Sequence, residues 1–162
     1  MKVIFASDHA GYSLKESLRA FVESLGHDVV DVGAHEYDPE DDYPAYCAEA
    51  ARAVAQEPET TRAILLGGSG QGEAMVANRF RGVRAVVYNG ESRGALYNEL
   101  DEIALSREHN DANVLSLGAR FMVIEEAKEA VQRWLETPFS GEERHRRRIA
   151  NIEAEAERGT TS

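Results

Sequence analysis

The segment LLGGSGQGEAMVAN, residues 65–78, joins an aliphatic run to four glycines within six residues, then to a helix-like pattern with Glu73 in its first turn. A strand that ends in a glycine turn and feeds a helix is the elementary unit of a parallel α/β sheet. Such a turn can also hold several backbone N–H groups open toward one point, forming an anion hole. The carboxylate of Glu73 stands where that anion is expected, and the sequence has to resolve this conflict of charge.

The same unit recurs along the chain. Short aliphatic or β-branched runs at 2–7, 28–32, 62–67, 83–88 and 113–117 are nearly continuous in hydrophobicity, as in strands covered on both faces. Between and after them, amphipathic patterns predict helices over 11–25, 43–56, 71–80, 92–108, 122–136 and 141–157, with Gly26 as a stop signal after the first. This alternation implies right-handed crossovers and a doubly wound α/β sandwich of five parallel strands, one domain over residues 1–162. The final pattern, 141–157, carries many charges with Ile149 and Ile152 as its large apolar residues, so it is expected to pack on another subunit.

Bulk properties narrow the function. The 162 residues, 43% of them hydrophobic, suit one compact core, and no apolar run approaches the roughly 18 residues needed to cross a membrane. The apolar run of MKVIFASDH is too short for a signal sequence, so a soluble, cytoplasmic protein is expected. A net charge of −11 repels nucleic acid and anionic membranes, whereas RHRRR at 144–148 concentrates enough positive charge for a small anion. The acidic run EYDPEDD at 36–42 reads as a solvated loop. Cys47 is the sole cysteine, which excludes an internal disulfide and a cysteine-based zinc site. His9, His27, His35, His109 and His145 have no metal-binding spacing, and no metal is expected.

In open α/β sheets ligands sit at the carboxyl ends of the strands. There the first strand delivers Ser7, Asp8 and His9, the third delivers Gly67 to Glu73, and the fifth delivers Gly118, Ala119 and Arg120. His109 and Asn110 lie just before the fifth strand and are expected to converge with the rest. GGSGQGE is neither a Walker A sequence nor a GxGxxG fingerprint, and Ser69 lacks a nucleophile-elbow pattern. Glu73 is either an acid complementing a helix N-terminus or a general base beside an anion hole. Arg144 and Arg148, four residues apart with His145 flanking them, either grip a phosphate or form a solvated helix face.

Together these residues resemble the type B ribose-5-phosphate isomerase family, whose wider group includes galactose- and allose-phosphate isomerases. The matching stretches are SDHAGYSLK (7–15), DDYPAYC (41–47), GGSGQGE (67–73), REHNDANVLSLGAR (107–120) and TPFSGEERHRRRI (137–149), in the expected order over nearly the whole chain. The resemblance implies a Rossmann-like fold, no cofactor, and a homodimer or dimer of dimers with active sites shared between subunits. It implies that Glu73 moves the proton between C1 and C2 of a sugar phosphate, with Ser69 assisting the hydroxyl protons. Relatives that use a cysteine carry it at the position of Gly67, so this chain resembles the glutamate-using branch. Gly68, Gly70, Gln71 and Gly72 would hold the enediolate, and His109 with Asp8 would open the furanose ring. Arg120, Arg144 and Arg148 would bind the phosphate near His9 and His145, while Tyr43 and Asn110 would contact sugar hydroxyls. The resemblance also makes about 137–158 an arm that contacts the partner. Residues 88–110 look longer than the family's usual connection, and the surplus around 91–102 is expected near the site. An isomerase of a four- or six-carbon sugar phosphate, and a non-catalytic phospho-sugar sensor, remain alternative readings of the same residues.

Overall fold

The computed structural model describes residues 1–90 and 101–159. Its strands are β1 (Lys2–Ser7), β2 (Asp28–Asp31), β3 (Thr61–Gly67), β4 (Ala85–Tyr88) and β5 (Val114–Gly118). Its helices are α1 (Tyr12–Ser24), α2 (Tyr43–Gln56), α3 (Gln71–Ala77), α4 (Glu102–Glu108), α5 (Ile124–Glu136) and α6 (Glu143–Gly159). The strands form one parallel sheet in the order β2-β1-β3-β5-β4. All five predicted strands are present, and the doubly wound α/β architecture is the one expected.

Alternation within each strand divides the core in two. Val3, Phe5, Ile64, Leu66, Leu115 and Leu117 face one side, where α1, α4 and α5 supply Leu18, Val22, Ile103, Val131 and Trp134. Ile4, Ala6, Ala63, Leu65 and Val114 face the other side, against Cys47, Ala50, Ala51 and Val54 of α2 and Ala77 of α3. Successive side chains of a strand point to opposite faces, so unbroken hydrophobicity in β1, β3 and β5 requires helices on both. An ion pair built on the fully buried Lys15 sits at the margin of the first layer. Lys15 Nζ lies 2.8 Å from both carboxylate oxygens of Asp31 and also donates to the carbonyl of Ala34. That carbonyl belongs to a loop pinned to the end of β1 by Ser7 N–H donating to Gly33 O and Ala34 N–H donating to Ser7 O.

The chain reverses its winding between β1 and β3, where β2 lies to one side and β5 and β4 to the other. Crossovers leave in opposite directions from that point and open a crevice at the carboxyl ends of the two strands. Asp8 and His9 follow β1 into it, and the glycine loop follows β3.

Most boundaries fall within two residues of expectation, and the larger departures are in two helices. The helix predicted to reach residue 80 ends at Ala77, because Asn78 turns its side chain onto the backbone of Ala85 and Arg79 and Phe80 close tight turns. The helix predicted over 92–108 is present as α4 from Glu102, because Asp101 is extended and caps it by accepting the Ala104 N–H; residues 92–100 of that expectation and most of the 91–102 surplus lie outside the described residues. Helix α6 touches its own chain along one narrow stripe, with His145 buried and Ile149 and Glu153 half-buried. Glu153 accepts from the Gly82 N–H, and Arg81 pairs with Glu153 and Glu157. Ile152 is exposed.

Candidate active site

A cavity of about 450 Å³ opens at the switch point. From β1 it is lined by Asp8, His9 and Ala10, and from the glycine loop by Gly68, Ser69, Gly72 and Glu73. Tyr43 at the start of α2 and Arg120 and Phe121 after β5 complete the wall. Four elements distant in sequence therefore converge because the parallel sheet brings their carboxyl ends to one edge.

The glycine loop is shaped by what lies behind it. Gly70 has φ of 73°, a left-handed conformation that glycine adopts freely, and its carbonyl accepts from Ser116 Oγ at 2.7 Å. Gly67 and Gly68 carbonyls accept from Ala119 and Arg120 N–H, tying the loop to the end of β5. The Arg120 guanidinium rests beside Gly68, about 3.2 Å from where a Cβ would stand. Gln71 is exposed, with its N–H 3.4 Å from Ser69 Oγ.

Glu73 is 4% exposed. Its carboxylate lies against Gly67 so closely that a Cβ on residue 67 would overlap Oε1. Burial holds its carboxyl above the ordinary carboxylate range; the Asp8 charge adds to the rise, and the Glu73 backbone N–H partly offsets it. A carboxylate tuned upward by burial and placed on a cavity wall has the attributes of a general base. Cys47 packs nearby, but burial first, and then the charges of Glu73 and Asp8, push its thiol well up, so it stays protonated.

Asp8 is buried, and its Oδ1 accepts the N–H groups of Ala10 and Gly11, closing the turn into α1. His9 leans on Asp41, a residue that sequence reasoning passed over inside the acidic run. Nδ1 of His9 is 2.8 Å from Asp41 Oδ1, which also accepts the His9 backbone N–H at 2.9 Å. That hydrogen bond is the main cause that raises the His9 pKa.

The structure does not bring His109 and Asn110 to this cavity within one chain. All strands of the sheet run the same way, so residues preceding β5 lie at its amino end. Contacts confirm the placement: Arg84 binds the carbonyls of Asn110 and Asp111, and Asn113 O accepts from Ala63 N–H at the beginning of β3. Arg120 leaves the opposite end, a strand length of roughly 16 Å away at about 3.3 Å per residue. The expectation that His109 and Asn110 converge with the strand-end residues did not take this polarity into account.

His109 has a different neighbour. Its ring stacks on His145 of α6 with centroids 4.2 Å apart and planes 12° from parallel, and the arm is tied there by Ser140 N–H donating to Glu108 O. Burial, then the charges of His109, Arg144 and Arg148, depress the His145 pKa and favour a neutral ring. Arg144 is exposed and paired with Glu142 at 2.8 Å; Arg148 and Asn110 are exposed as well. The predicted residues thus fall into two groups, a cavity at the carboxyl edge and a His109–His145 cluster at the amino edge. Among the described residues, no three His, Cys, Asp or Glu side chains converge as metal ligands.

A parallel α/β sheet with a buried carboxylate on a glycine loop at the switch point defines a class of small-molecule enzyme. Comparison narrows it: the family model described as Ribose/Galactose Isomerase matches residues 3–152, and the chain belongs to that family. It is 41% identical over 158 residues to ribose-5-phosphate isomerase B of Mycolicibacterium paratuberculosis, covering 98% of this chain and 92% of that protein. It is 38% identical over 153 residues to the Escherichia coli ribose-5-phosphate isomerase B, covering 94% and 95% of the two chains. Among solved structures, the Mycoplasma genitalium ribose-5-phosphate isomerase B with bound ribulose-5-phosphate superposes with a TM-score of 0.87 at 33% identity, covering 96% of both chains.

Proposed function

We infer that this chain is an aldose–ketose isomerase that interconverts ribose 5-phosphate and ribulose 5-phosphate, a step of the pentose phosphate pathway. The observation that carries the reading is the buried, proton-loving Glu73 on the glycine loop, in a chain so similar to isomerases of that name. After the furanose ring opens, Glu73 takes the proton from C2 and becomes neutral, while the former carbonyl oxygen on C1 becomes an oxyanion. The N–H groups of residues 68–72 receive that charge. Ser69 relays the hydroxyl proton between O2 and O1, and Glu73 returns its proton to C1. The anion and the carboxylate never coexist, which resolves the conflict in the opening segment.

Ring opening and phosphate binding draw on a second copy of the chain. His109, Asn110, Arg144, His145 and Arg148 of one copy complete the cavity of the other, where Asp8 and Tyr43 meet the sugar and Arg120 and His9 meet the phosphate. Three features support the composite site: the amino-edge position of His109, the single narrow stripe by which α6 touches its own chain, and the exposed Met75, Phe121, Val123 and Ile152. The chain acts as one isomerase domain, with residues 137–158 as the arm that contacts the partner in a homodimer or dimer of dimers. A cytoplasmic location suits the free thiol of Cys47. No described helix is long and apolar enough to cross a membrane.

Comparing kcat/KM over four-, five- and six-carbon aldose phosphates tests the reading. The highest value is expected for ribose 5-phosphate. A preference for a four- or six-carbon sugar would move the chain to another specificity, and binding without turnover would make it a sensor.

A further inference from the structure

The catalytic scheme leaves the role of Asp41 open. It sits just ahead of α2 in the acidic run, yet its side chain is only 7% exposed, and it reaches back to His9, 32 residues earlier. One oxygen, Oδ1, accepts both the backbone N–H and the ring Nδ1 of His9. A carboxylate oxygen already accepting a backbone donor can only accept from the ring too, so Nδ1 carries the proton and Nε2 is left for the cavity. The other oxygen, Oδ2, is buried without a hydrogen-bond partner among the described residues, so the hydrogen bonds of this carboxylate found there all go to His9.

We propose that Asp41 is a positioning residue that locks the His9 ring and holds it as a cation, so that Nε2–H meets the phosphate of the substrate. The proposal rests on the sugar-phosphate reading and assigns the source of the positive charge on the β1 side of the cavity. Other groups facing His9 are Asp8 beside it, Tyr37 edge-on at 6.4 Å, and Glu73, Tyr43 and Arg120 around the cavity. Asp8 acts in the same direction as Asp41, and burial opposes both. The arrangement couples α2 to the phosphate: the turn that places Tyr43 also places the partner of His9.

Asp41→Asn keeps the size of the side chain and removes the charge. KM for ribose 5-phosphate should rise roughly tenfold, about the loss of one charge-assisted hydrogen bond, with kcat within about twofold. Because Asp41 raises the His9 pKa, its loss should move the alkaline fall of kcat/KM to lower pH. Asp41→Glu should recover part of the KM. An Asp41→Asn variant with native KM and an unmoved alkaline limb overturns the proposal. Should that variant not fold, histidine-labelled native protein gives the answer by NMR, with His9→Gln identifying the signal. Nδ1 should be protonated, the titration midpoint should lie above that of an ordinary imidazole, and inorganic phosphate should raise it further. A midpoint at or below the ordinary value, or one indifferent to phosphate, overturns the proposal. A protein inactive on pentose phosphates whose His9 still responds to phosphate upholds the pairing and sinks the substrate reading instead.

Discussion

The carboxylate of Glu73 occupies the space in which a side chain on residue 67 would begin. Glycine at 67 and glutamate at 73 are therefore one structural choice rather than two. A side chain at 67 would have to push the base out of its buried seat.

That exclusion makes Gly67→Ala an informative variant. The added methyl is expected to displace Glu73, lowering kcat about 100-fold or more, the lower range for losing a general base. Circular dichroism should show a folded protein, since the displaced carboxylate can move toward the open cavity.

The raised Glu73 pKa has consequences for pH. As a base it must be ionised, so kcat/KM should fall on the acid side at a pH above the ordinary carboxylate range. For stability the sign is opposite. Between the unfolded and folded pKa values the native state binds more protons than the unfolded state, so this residue's contribution falls as pH rises through that window. Glu73→Gln removes the buried charge and should show an equal or higher Tm at pH 7.5 while turnover is lost. A clear drop in Tm would contradict the environment described for Glu73.

The proposed composite site predicts complementation. A dimer of a Glu73→Gln chain and a His109→Ala chain carries one site with both defects and one with neither. Mixed dimers should recover up to half of native activity, although each parent is inactive. The same holds when Arg144→Ala/Arg148→Ala replaces the His109 variant. Verified mixed dimers without recovery would place His109 and Glu73 in the same chain's site.

Lys15 illustrates a structural charge within a stretch that matches the family. Replacing it by Met leaves Asp31 with Arg19 and the Gly33 N–H as partners but removes the donor to Ala34 O. A stability loss of about 3 kcal/mol is expected from breaking a buried ion pair. Chemical denaturation measures it directly.

Much of this was legible in the sequence because period and punctuation carry it. Continuous aliphatic runs located β1 to β5, and the glycines after β3 located the loop that faces the cavity. Asp41 was hidden because a carboxylate surrounded by other acids gives no local sign that it is buried. The place of His109 was hidden for another reason: adjacency to a strand in sequence does not say which end of the sheet a residue occupies. The polarity of a parallel strand supplies that information, and it reassigns His109 from the cavity of its own chain to the amino edge beside His145.

Isomerisation of ribose 5-phosphate in D₂O tests the central claim most directly. Purified protein should form ribulose 5-phosphate and place solvent deuterium on C1, and Glu73→Gln should do neither while still binding inorganic phosphate. Near-native turnover or exchange in Glu73→Gln would contradict the assignment of the base and the mechanism built on it.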